Sequence, residues 1–448
     1  MRGIIMKRQI LLTELLLIIF IGISLQAQTN SKVNLSFEDK VQSWMTEENV
    51  PAIGIGIIED GSIKYVKVFG ELQKGVPAPD NTIFCAASLT KPVVAMLTLK
   101  LVEKGQWDLD EPLYHYWIDP DIANDPRHKK LTTRHVLSHQ TGFPNGRKGK
   151  LAFEFEPGTD MNYSGEGFEY LAKALEKKFK KSLQQLSDSL IFKPLGMKDT
   201  RYCWDKDMDE SRLAHGHDSK GNTYPLSYVI NHPANASGSL LTTTEDYCKF
   251  CLDVIKGAGL SPDLYKDMIR PHAKIKEHYG KGLGWQVIVD LPNEEYALEH
   301  DGNNQGYKTK GLLLPKSKRG VIVFTNSDNG WSVCSNVIQE RIDIAETIQD
   351  YMSGSKRNMI ALSDSILERY IGMYLVDSHG VNITITREDS VLIMTGGGMP
   401  IIKLYPEAEN KFFIKGVDVQ IEFVNDDSFN LIENGKISWS AKKNKAEK

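Results

Sequence analysis

The chain has 448 residues, a length that suggests two or three domains. With 41% hydrophobic and 25% charged residues, its composition is that of an ordinary globular protein. Its net charge of -4 leaves no basic footprint of the kind that nucleic-acid-binding proteins carry, so nucleic acid is not an expected partner.

The N-terminal segment has the pattern of a secretory signal peptide. Lys7 and Arg8 precede a short apolar run at 15–25, and Ala27 supplies the small residue of a cleavage site. The run is too short to span a bilayer comfortably. We therefore predict a signal peptide over residues 1–27, a secreted or periplasmic protein, and no transmembrane segment after cleavage.

A predicted β-hairpin is followed, after one intervening helix, by a long helical region. Residues 52–59 and 63–69 flank the dipeptide Asp60-Gly61, and Asp-Gly between alternating runs is a strong hairpin signal. From 110 to 275 the chain is helical and rich in loops. Its clearest helices are predicted at 167–179 and at 183–192, the second ending before Pro194.

The intervening helix is predicted over residues 89–104 and stops at Gly105. Its residues 93–102 are apolar almost all round, which predicts a buried helix. Ser88 and Lys91 stand at its start, on one helix face. A lysine at the mouth of a buried helix is unusual, which makes this pair a candidate nucleophile and base. The same Ser-x-x-Lys spacing recurs in polar stretches at Ser353/Lys356 and Ser440/Lys443.

Strand-like runs return after the helical region. They lie at 285–289, 309–314 and 321–325, and an amphipathic stretch follows at 334–351. Two strands, then helices, then three strands and a helix indicate one sheet whose halves are far apart in sequence. The helical block is then an insertion between the two halves of the sheet.

The chain changes in character after this sheet. Residues 352–364 are predicted to be a linker. From 365 to 448, short alternating strands with Gly and Asn turns predict a small all-β domain. The alternating residues are Val381, Ile383 and Ile385, then Val417, Val419, Ile421 and Phe423, with a turn at Asn434-Gly435.

The five cysteines are too few, and odd in number, for a disulfide framework. Cys248 and Cys251 have the spacing of a metal or redox pair, but they lie in a helical stretch without a second pair. We interpret them, together with Cys85, as small apolar packing residues. The remaining two are Cys203 and Cys334.

Several segments, taken in order, carry a family resemblance. They are 84–96 around Ser88, 131–144, 155–176 around Tyr163, 192–200, 235–250, 299–315 and 320–330. Together they resemble the serine hydrolases that include class C β-lactamases, low-molecular-weight penicillin-binding proteins, D-aminopeptidases and related esterases. The likeness covers roughly residues 36–350. Residues 365–448 resemble the lipocalin-like β-barrel that many members carry.

This resemblance implies a fold and a reaction. The fold is α/β, with an antiparallel sheet flanked by helices plus an all-helical block over residues 28–351, followed by a small C-terminal all-β barrel. The implied protein is an exported serine hydrolase that forms an acyl-enzyme on Ser88 and hydrolyses an ester, amide or D-amino-acid-type peptide bond. Its partner is a small-molecule or peptide substrate, and no cofactor or metal is implied.

Two departures from the β-lactamase pattern bear on the substrate. The tyrosine motif at 163–165 ends in glycine where asparagine is usual, and the motif at 300–302 is His-Asp-Gly in place of Lys-Thr-Gly. Gly165 is expected to leave empty the place where an amide would hold substrate. Both changes predict that esterase or peptidase activity exceeds β-lactamase activity.

The Ser88 hydroxyl needs a base before it can act as a nucleophile. Burial favours the neutral amine of Lys91. The resemblance brings Tyr163 close, where a Lys91 ammonium would favour the phenolate and lower the pKa of the tyrosine. Either residue could therefore be the base.

The acyl oxygen needs two hydrogen-bond donors as its charge develops. The Ser88 N–H is one candidate, and the resemblance implies the Asn303 N–H as the second. Gly302 would let that backbone approach the substrate closely. His300 is expected to face the cleft, where it could bind a carboxylate when protonated or assist proton transfer when neutral.

Two alternatives remain open from the sequence. The first is a metal site, because His135 and His139 have zinc-helix spacing and His215 and His217 could add ligands. Position 136, however, is valine instead of the glutamate that a zinc protease needs as base. The second is a penicillin-binding or sensor protein with slow or no turnover, or a β-lactamase, on the same scaffold.

Overall fold

A computed structural model describes residues 35–354, 359–376, 380–396, 399–414, 419–433 and 435–444. The signal peptide predicted at 1–27 lies outside the described residues, as do Lys356, Val417 and Asn434. Within the described part, a mixed α/β region precedes an all-β barrel, which confirms the predicted fold class. Among these residues, no helix has both the length and the apolar character needed to cross a membrane.

One antiparallel sheet, nine-stranded within the described residues, organises the α/β region. The strands in chain order are β1 (Ala52–Glu59), β2 (Ser62–Gln73), β3 (Val76–Pro77), β4 (Ile83–Cys85), β5 (Leu241–Thr243), β6 (Ala273–Lys276), β7 (Tyr279–Lys281), β8 (Gln286–Leu291), β9 (Glu295–Asn304), β10 (Tyr307–Leu314) and β11 (Arg319–Thr325). Their order in space is β3-β2-β1-β11-β10-β9-β8-β7-β6, while β4 and β5 form a separate pair. Ile53 pairs with Thr325 at the centre, so the predicted joining of two distant halves is confirmed.

Four strands of this sheet are absent from the sequence prediction, and the first of them, β3, has only two residues. β6 and β7 are too short to give a pattern. β9 carries Glu295, Glu299 and Asp301, so it lacks the alternation of apolar residues that predicts a strand. Glu299 is nevertheless fully buried, because Lys310 on β10 pairs with it at 2.6 Å.

Helices fill the region of the chain between β4 and β6, and others precede β1 and follow β11. In chain order they are α1 (Phe37–Glu47), α2 (Thr90–Glu103), α3 (Thr133–Leu137), α4 (Gly165–Phe179), α5 (Leu183–Ser187), α6 (Lys193–Leu195), α7 (Ser227–Ile230), α8 (Thr244–Ile255), α9 (Pro262–Met268), α10 (Gly330–Arg341) and α11 (Ala345–Ser353). α8 packs against β1 and β11, and α10 against β10 and β11. Gly54 and Gly56 on β1 permit the close approach of α8, since a Cβ at Gly56 would lie 2.1 Å from the Cys248 sulfur.

α2 and α4 confirm the helices predicted at 89–104 and 167–179. The helix predicted to end before Pro194 continues instead through a π-helical turn, Asp188–Phe192, into α6. A wider turn can accommodate a proline that has no N–H to donate, and Gly196, with φ 67°, then ends the helix. The stretch predicted at 334–351 is two helices, because Ile342 adopts an extended conformation.

The apolar interior centres on α2, as predicted. Val93, Met96 and Leu97 are fully buried in one core with Cys248 and Cys251. All five cysteines fall within the described ranges and are free thiols. Burial raises the pKa of both Cys248 and Cys251, so they are inert packing residues, as interpreted from the sequence.

The C-terminal strands close into a barrel that is eight-stranded within the described residues. Helix α12 (Asp364–Arg369) precedes β12 (Gly372–Val376), β13 (Val381–Glu388), β14 (Val391–Gly396), β15 (Met399–Ala408), β16 (Lys411–Phe413), β17 (Val419–Asn425), β18 (Ser428–Glu433) and β19 (Lys436–Lys443). Ile383, Ile385, Ile421 and Phe423 point into a core separate from that of the α/β region. The first two residues of the predicted linker, at 352–353, belong to α11.

Candidate active site

Ser88 lies in a short 3₁₀ turn that leads directly into α2. Ala87 before it has φ 48°, a conformation that costs a non-glycine residue about 1–2 kcal/mol. The surrounding structure holds this strained turn: Thr90 Oγ1 donates to the Ala87 carbonyl at 2.7 Å, and Thr309 Oγ1 donates to the Ala86 carbonyl at 2.9 Å. The position of Ser88 is therefore fixed by buried hydrogen bonds from α2 and β10.

Lys91 is one turn further along and only 2% exposed. Its Nζ lies 3.1 Å from Ser88 Oγ and donates to the Ser237 carbonyl at 2.6 Å. Burial lowers the pKa of Lys91 to about 7; the Glu169 carboxylate opposes this shift, and the positive charge of Lys281 adds to it. At neutral pH a large fraction of Lys91 is a neutral amine within reach of the serine proton.

Tyr163 lies beside the same lysine. Lys91 Nζ is 4.7 Å from the centroid of the Tyr163 ring, above its face. The expectation that the ammonium would lower the pKa of Tyr163 is wrong: burial raises it, the Asp301 charge adds to the rise, and the Ser88 hydroxyl only partly opposes it. Tyr163 is a neutral phenol that still holds its proton at neutral pH. Lys91, with its lowered pKa, is therefore favoured as the base.

His300 does not line the cleft, contrary to expectation. It lies within β9, is 2% exposed, and has its Nδ1 2.7 Å from the Asp301 carbonyl oxygen. Burial lowers the pKa of His300 to about 3, and Lys281 adds to this shift while the Asp301 charge opposes it. A protonated His300 that binds a substrate carboxylate is therefore disfavoured near neutral pH.

Gly302 brings β9 against the nucleophile turn. A Cβ at this position would lie 2.2 Å from Thr309 Oγ1 and 2.6 Å from the Ala86 carbonyl oxygen, so only glycine fits. The next residue, Asn303, is exposed and lines the same cavity as Ser88. This arrangement brings the two expected oxyanion donors to neighbouring parts of one cavity wall.

The cavity has a volume of about 580 Å³. Ser88, Lys91, Asn145, Ser237 and Asn303 line its reactive end. Apolar side chains line another part: Cys85, Leu226, Val229, Leu241 and Tyr307. Among the described residues around the cavity, only Lys91 and His232 can carry a positive charge, and no carboxylate lines it.

Gly165 does not leave an empty place, which corrects the prediction from the sequence. A Cβ at Gly165 would lie 2.5 Å from the Asn145 carbonyl oxygen and 3.3 Å from its Oδ1. The Gly165 N–H donates to both of these oxygens at 3.1 Å. Asn145, from the loop after α3, thus occupies the space next to Gly165 that was expected to be empty.

Glu169 and Asn304, two further residues that the sequence did not reveal, position the segment 236–238 beside the cavity. The Glu169 carboxylate accepts the N–H groups of Ala236 and Ser237, each at 3.0 Å. This orients the Ser237 carbonyl toward Lys91. Asn304 Nδ2 donates to the Gly238 carbonyl at 3.0 Å and joins the end of β9 to the same segment.

Asn145 and Glu169 were missed because each lies in a different segment of the chain from Ser88. Asn145 directly follows the segment 131–144 that carries the family resemblance, and Glu169 lies within the segment around Tyr163. Neither position has a periodic or motif signal of its own. They can be recognised only by their proximity to Ser88, and the sequence does not show that proximity.

Three of the four histidines considered as metal ligands have ring nitrogens in contact with the backbone; His135 Nδ1, for example, accepts the Thr132 N–H at 3.3 Å. His139 Nδ1 accepts the Ser164 N–H at 3.1 Å, and His217 Nδ1 lies 3.0 Å from the Asn326 carbonyl oxygen. Within the described ranges, no three His, Cys, Asp or Glu side chains come together in a group able to hold a metal ion. Within these described ranges, His135 and His139 therefore lack the further ligands that a zinc site would need.

Comparison with known proteins gives the family. The model of the Beta-lactamase family matches residues 37–341, more than half of the chain. Penicillin-binding protein 4* of Bacillus subtilis (strain 168) is 25% identical over 422 residues, which cover 84% of this chain and 92% of that protein. The chain therefore belongs to the beta-lactamase family, as the resemblance indicated.

Two solved structures share the fold. The octameric penicillin-binding protein homologue from Pyrococcus abyssi has a TM-score of 0.63 at 21% identity, over 91% of this chain and 100% of that chain. The D-amino acid amidase from Ochrobactrum anthropi SV3, complexed with L-phenylalanine amide, has a TM-score of 0.55 at 21% identity, over 69% and 97%. At these identities the likeness concerns the fold alone.

Proposed function

We propose that the protein is a serine hydrolase that forms an acyl-enzyme on Ser88 and releases the acyl group to water. One observation carries the proposal: the Lys91 amine, with a pKa lowered to about 7, lies 3.1 Å from the Ser88 hydroxyl. A positioned base of this kind typically contributes about 10²- to 10⁴-fold to the rate. Family membership supports the same reaction class.

Acylation begins when Ser88 Oγ attacks the substrate carbonyl carbon and Lys91 Nζ takes the hydroxyl proton. The new Oγ–C bond gives a tetrahedral oxyanion, stabilised by the N–H groups of Ser88 and Asn303. When the bond to the leaving group breaks, the leaving group takes the proton from the Lys91 ammonium. Tyr163, a neutral phenol whose hydroxyl is hydrogen-bonded to Ser88, is suited to pass the proton along.

Deacylation repeats the sequence with water. Lys91 accepts a proton from the attacking water, the Oγ–C bond breaks, and the proton returns to Ser88 Oγ. The carboxylic acid product leaves, and Ser88 and Lys91 return to their starting states.

The charge of the residues that line the cavity favours uncharged acyl donors as substrates. The described lining has no arginine and no carboxylate, and its one buried cation, Lys91, is held by Ser88 and the Ser237 carbonyl. A substrate carboxylate would have weak electrostatic compensation there. We infer that uncharged esters and amides are preferred to β-lactams and to peptides with a free C-terminal carboxylate.

A substrate panel tests this proposal. We expect kcat/KM to be higher for p-nitrophenyl butyrate than for nitrocefin or a D-Ala-D-Ala peptide, and all turnover to be lost in Ser88→Ala. Nitrocefin turning over fastest would favour a β-lactamase. A stoichiometric burst without turnover would favour a penicillin-binding or sensor protein.

We also propose that the protein is exported. The basic residues, the apolar run at 15–25 and Ala27 support this localisation. N-terminal sequencing of protein made in a bacterial host should find a chain that begins at Gln28. A chain that retains residues 1–27 and stays in the cytoplasm would contradict it.

A further inference from the structure

We propose that Lys308 is a positioning residue for the serine hydrolase reaction. Its ammonium group holds the turn between β9 and β10, and through that turn it fixes the Asn303 N–H, the expected oxyanion donor, relative to Ser88. The proposal rests on the proposed function. It adds to that function a residue outside the set that lines the cavity.

The first argument is the set of contacts that Lys308 makes around the turn. Its Nζ donates to the Asn304 carbonyl at 3.2 Å and to Asp328 Oδ1 at 2.7 Å. The same carboxylate oxygen accepts the Gly306 N–H at 2.9 Å. One ion pair thus holds the last residue of β9 and the residue just before β10, so the backbone is fixed on both sides of the turn.

The second argument is that this ion pair is buried and anchored. Lys308 is only 5% exposed. Tyr224 Oη donates to Asp328 Oδ2 at 2.8 Å, and the Asp328 N–H donates to the His217 carbonyl at 2.9 Å. The carboxylate is therefore held by a segment outside the β9–β10 hairpin and can serve as a fixed point for the turn. An apolar pair often stabilises a fold as well as a buried ion pair does, so a geometric role accounts better for this one.

The third argument is the position of the turn relative to the nucleophile. Within the described residues, β8 pairs with β9 as far as Glu299, and β9 continues beyond it to the turn. This last part of β9 is held by β10 on one edge and by the contact of Gly302 with the nucleophile turn. Lys308 stands opposite Asn303 in the register of the two strands. A shift of the turn would therefore displace the Asn303 N–H, and a displacement of about 1 Å can cost roughly 100-fold in rate.

An ester and its thiono analogue give the readout: p-nitrophenyl butyrate and the same compound with sulfur in place of the carbonyl oxygen. In both, Ser88 Oγ forms a bond to the acyl carbon and p-nitrophenolate leaves, so one absorbance reports both reactions. Sulfur is a weak hydrogen-bond acceptor, so donors aimed at an oxyanion favour the oxygen ester. The ratio of kcat/KM, oxygen ester over thiono ester, therefore reports the position of the donors, and a general loss of folded protein cancels from it.

Lys308→Met removes the ammonium group, and we expect the ratio to fall about 10- to 100-fold relative to wild type. A buried carboxylate left without its cation destabilises a fold, so the double variant Lys308→Met/Asp328→Asn is measured beside it. The asparagine keeps an oxygen for the Gly306 N–H. We expect the same fall in the ratio for the double variant, with thermal melts to show that it is folded.

Lys310→Met is the matched control. Lys310 is also on β10 and also pairs with a buried carboxylate, that of Glu299 at 2.6 Å, but this partner lies within β9 and away from the turn. We expect Lys310→Met to leave the ratio within about twofold of wild type, even if the variant is less stable.

An unchanged ratio in the folded double variant, or an equal fall in Lys310→Met, would overturn the proposal. A wild-type ratio no higher than that of uncatalysed hydrolysis would overturn it too, and would leave Ser88 as the nucleophile. Turnover that persists in Ser88→Ala would instead defeat the proposed function, and the role of Lys308 with it.

Discussion

Burial gives Lys91 its chemical role. A free lysine has a pKa near 10.4, so at pH 7 only about one amine in a few thousand is neutral. In this site the pKa falls to about 7, because the ammonium has lost most of its water. The neutral fraction rises by roughly a thousandfold, which converts a poor base into an effective one at physiological pH.

The first prediction concerns the pH dependence of acylation. Because Lys91 must be neutral to accept the Ser88 proton, kcat/KM should rise with pH and level off above an apparent pKa of about 7. His300 should add no ionisation in this range, since burial lowers its pKa to about 3. Stopped-flow acylation from pH 5 to 10 measures this profile. A rate that continues to climb toward pH 10 would show that an unperturbed lysine is titrating.

The second prediction concerns the charges that set this pKa. The Glu169 carboxylate raises the pKa of Lys91 and the Lys281 ammonium lowers it. Glu169→Gln, which retains an oxygen for the Ser237 N–H, should therefore move the rising limb to lower pH. Lys281→Met should move it to higher pH. Shifts of both variants in the same direction would rule out this electrostatic account, and thermal melts should confirm that both are folded.

At the scale of elements, the site depends on the contact between β9 and the nucleophile turn. The third prediction is that Gly302→Ala lowers kcat/KM by about 100-fold, because the added methyl would collide with Thr309 and the Ala86 carbonyl and displace the oxyanion strand. Overpacking should also lower the free energy of unfolding by about 1–3 kcal/mol. Ester turnover and urea denaturation measure the two effects.

Gly311→Ala is the control for this substitution. Gly311 lies on the neighbouring strand, and the nearest atom to a Cβ there is 3.8 Å away, an ordinary contact. We expect activity close to wild type for Gly311→Ala. If Gly302→Ala were equally active, the close approach of β9 would not matter for catalysis.

The sequence predicted those elements whose signals are local. The apolar run at 93–102 predicted the buried helix α2, and Asp60-Gly61 predicted the hairpin of β1 and β2. β9 was missed because its buried Glu299 is compensated by Lys310, a partner on another strand. Asn145 was missed for the same kind of reason: its neighbour Gly165 is distant in sequence.

At the scale of the whole molecule, the site forms only when distant segments meet. The pairing of β1 with β11 brings the β9–β11 strands beside the turn that holds Ser88. Glu169 on α4 and Tyr163, just before the start of α4, come from another part of the chain. The motif order in the sequence identified the family and Ser88, Lys91 and Tyr163 as candidates. The motif order could not show which of these side chains are buried, and burial determines whether Lys91 or Tyr163 is the base.

The fourth prediction concerns the C-terminal barrel. Its apolar residues form a core of their own, and the family match ends at residue 341, so we propose that the barrel supplies no catalytic residue. A chain that ends at Gly354, the C-cap of α11, should keep Ser88 labelling by a small phosphonate at a rate within about threefold of the full chain. Loss of labelling in a soluble, folded truncation would mean that the barrel completes the site.

The most direct test of the central claim is to identify the acylated residue. The protein is treated with a fluorophosphonate, and intact mass and peptide mapping locate the adduct. We predict one adduct per chain, on the peptide that contains Ser88, and none in Ser88→Ala. The other two serines with a lysine three residues later, Ser353 and Ser440, serve as internal controls and should stay unmodified. An adduct on either of them, or full labelling of Ser88→Ala, would contradict the account.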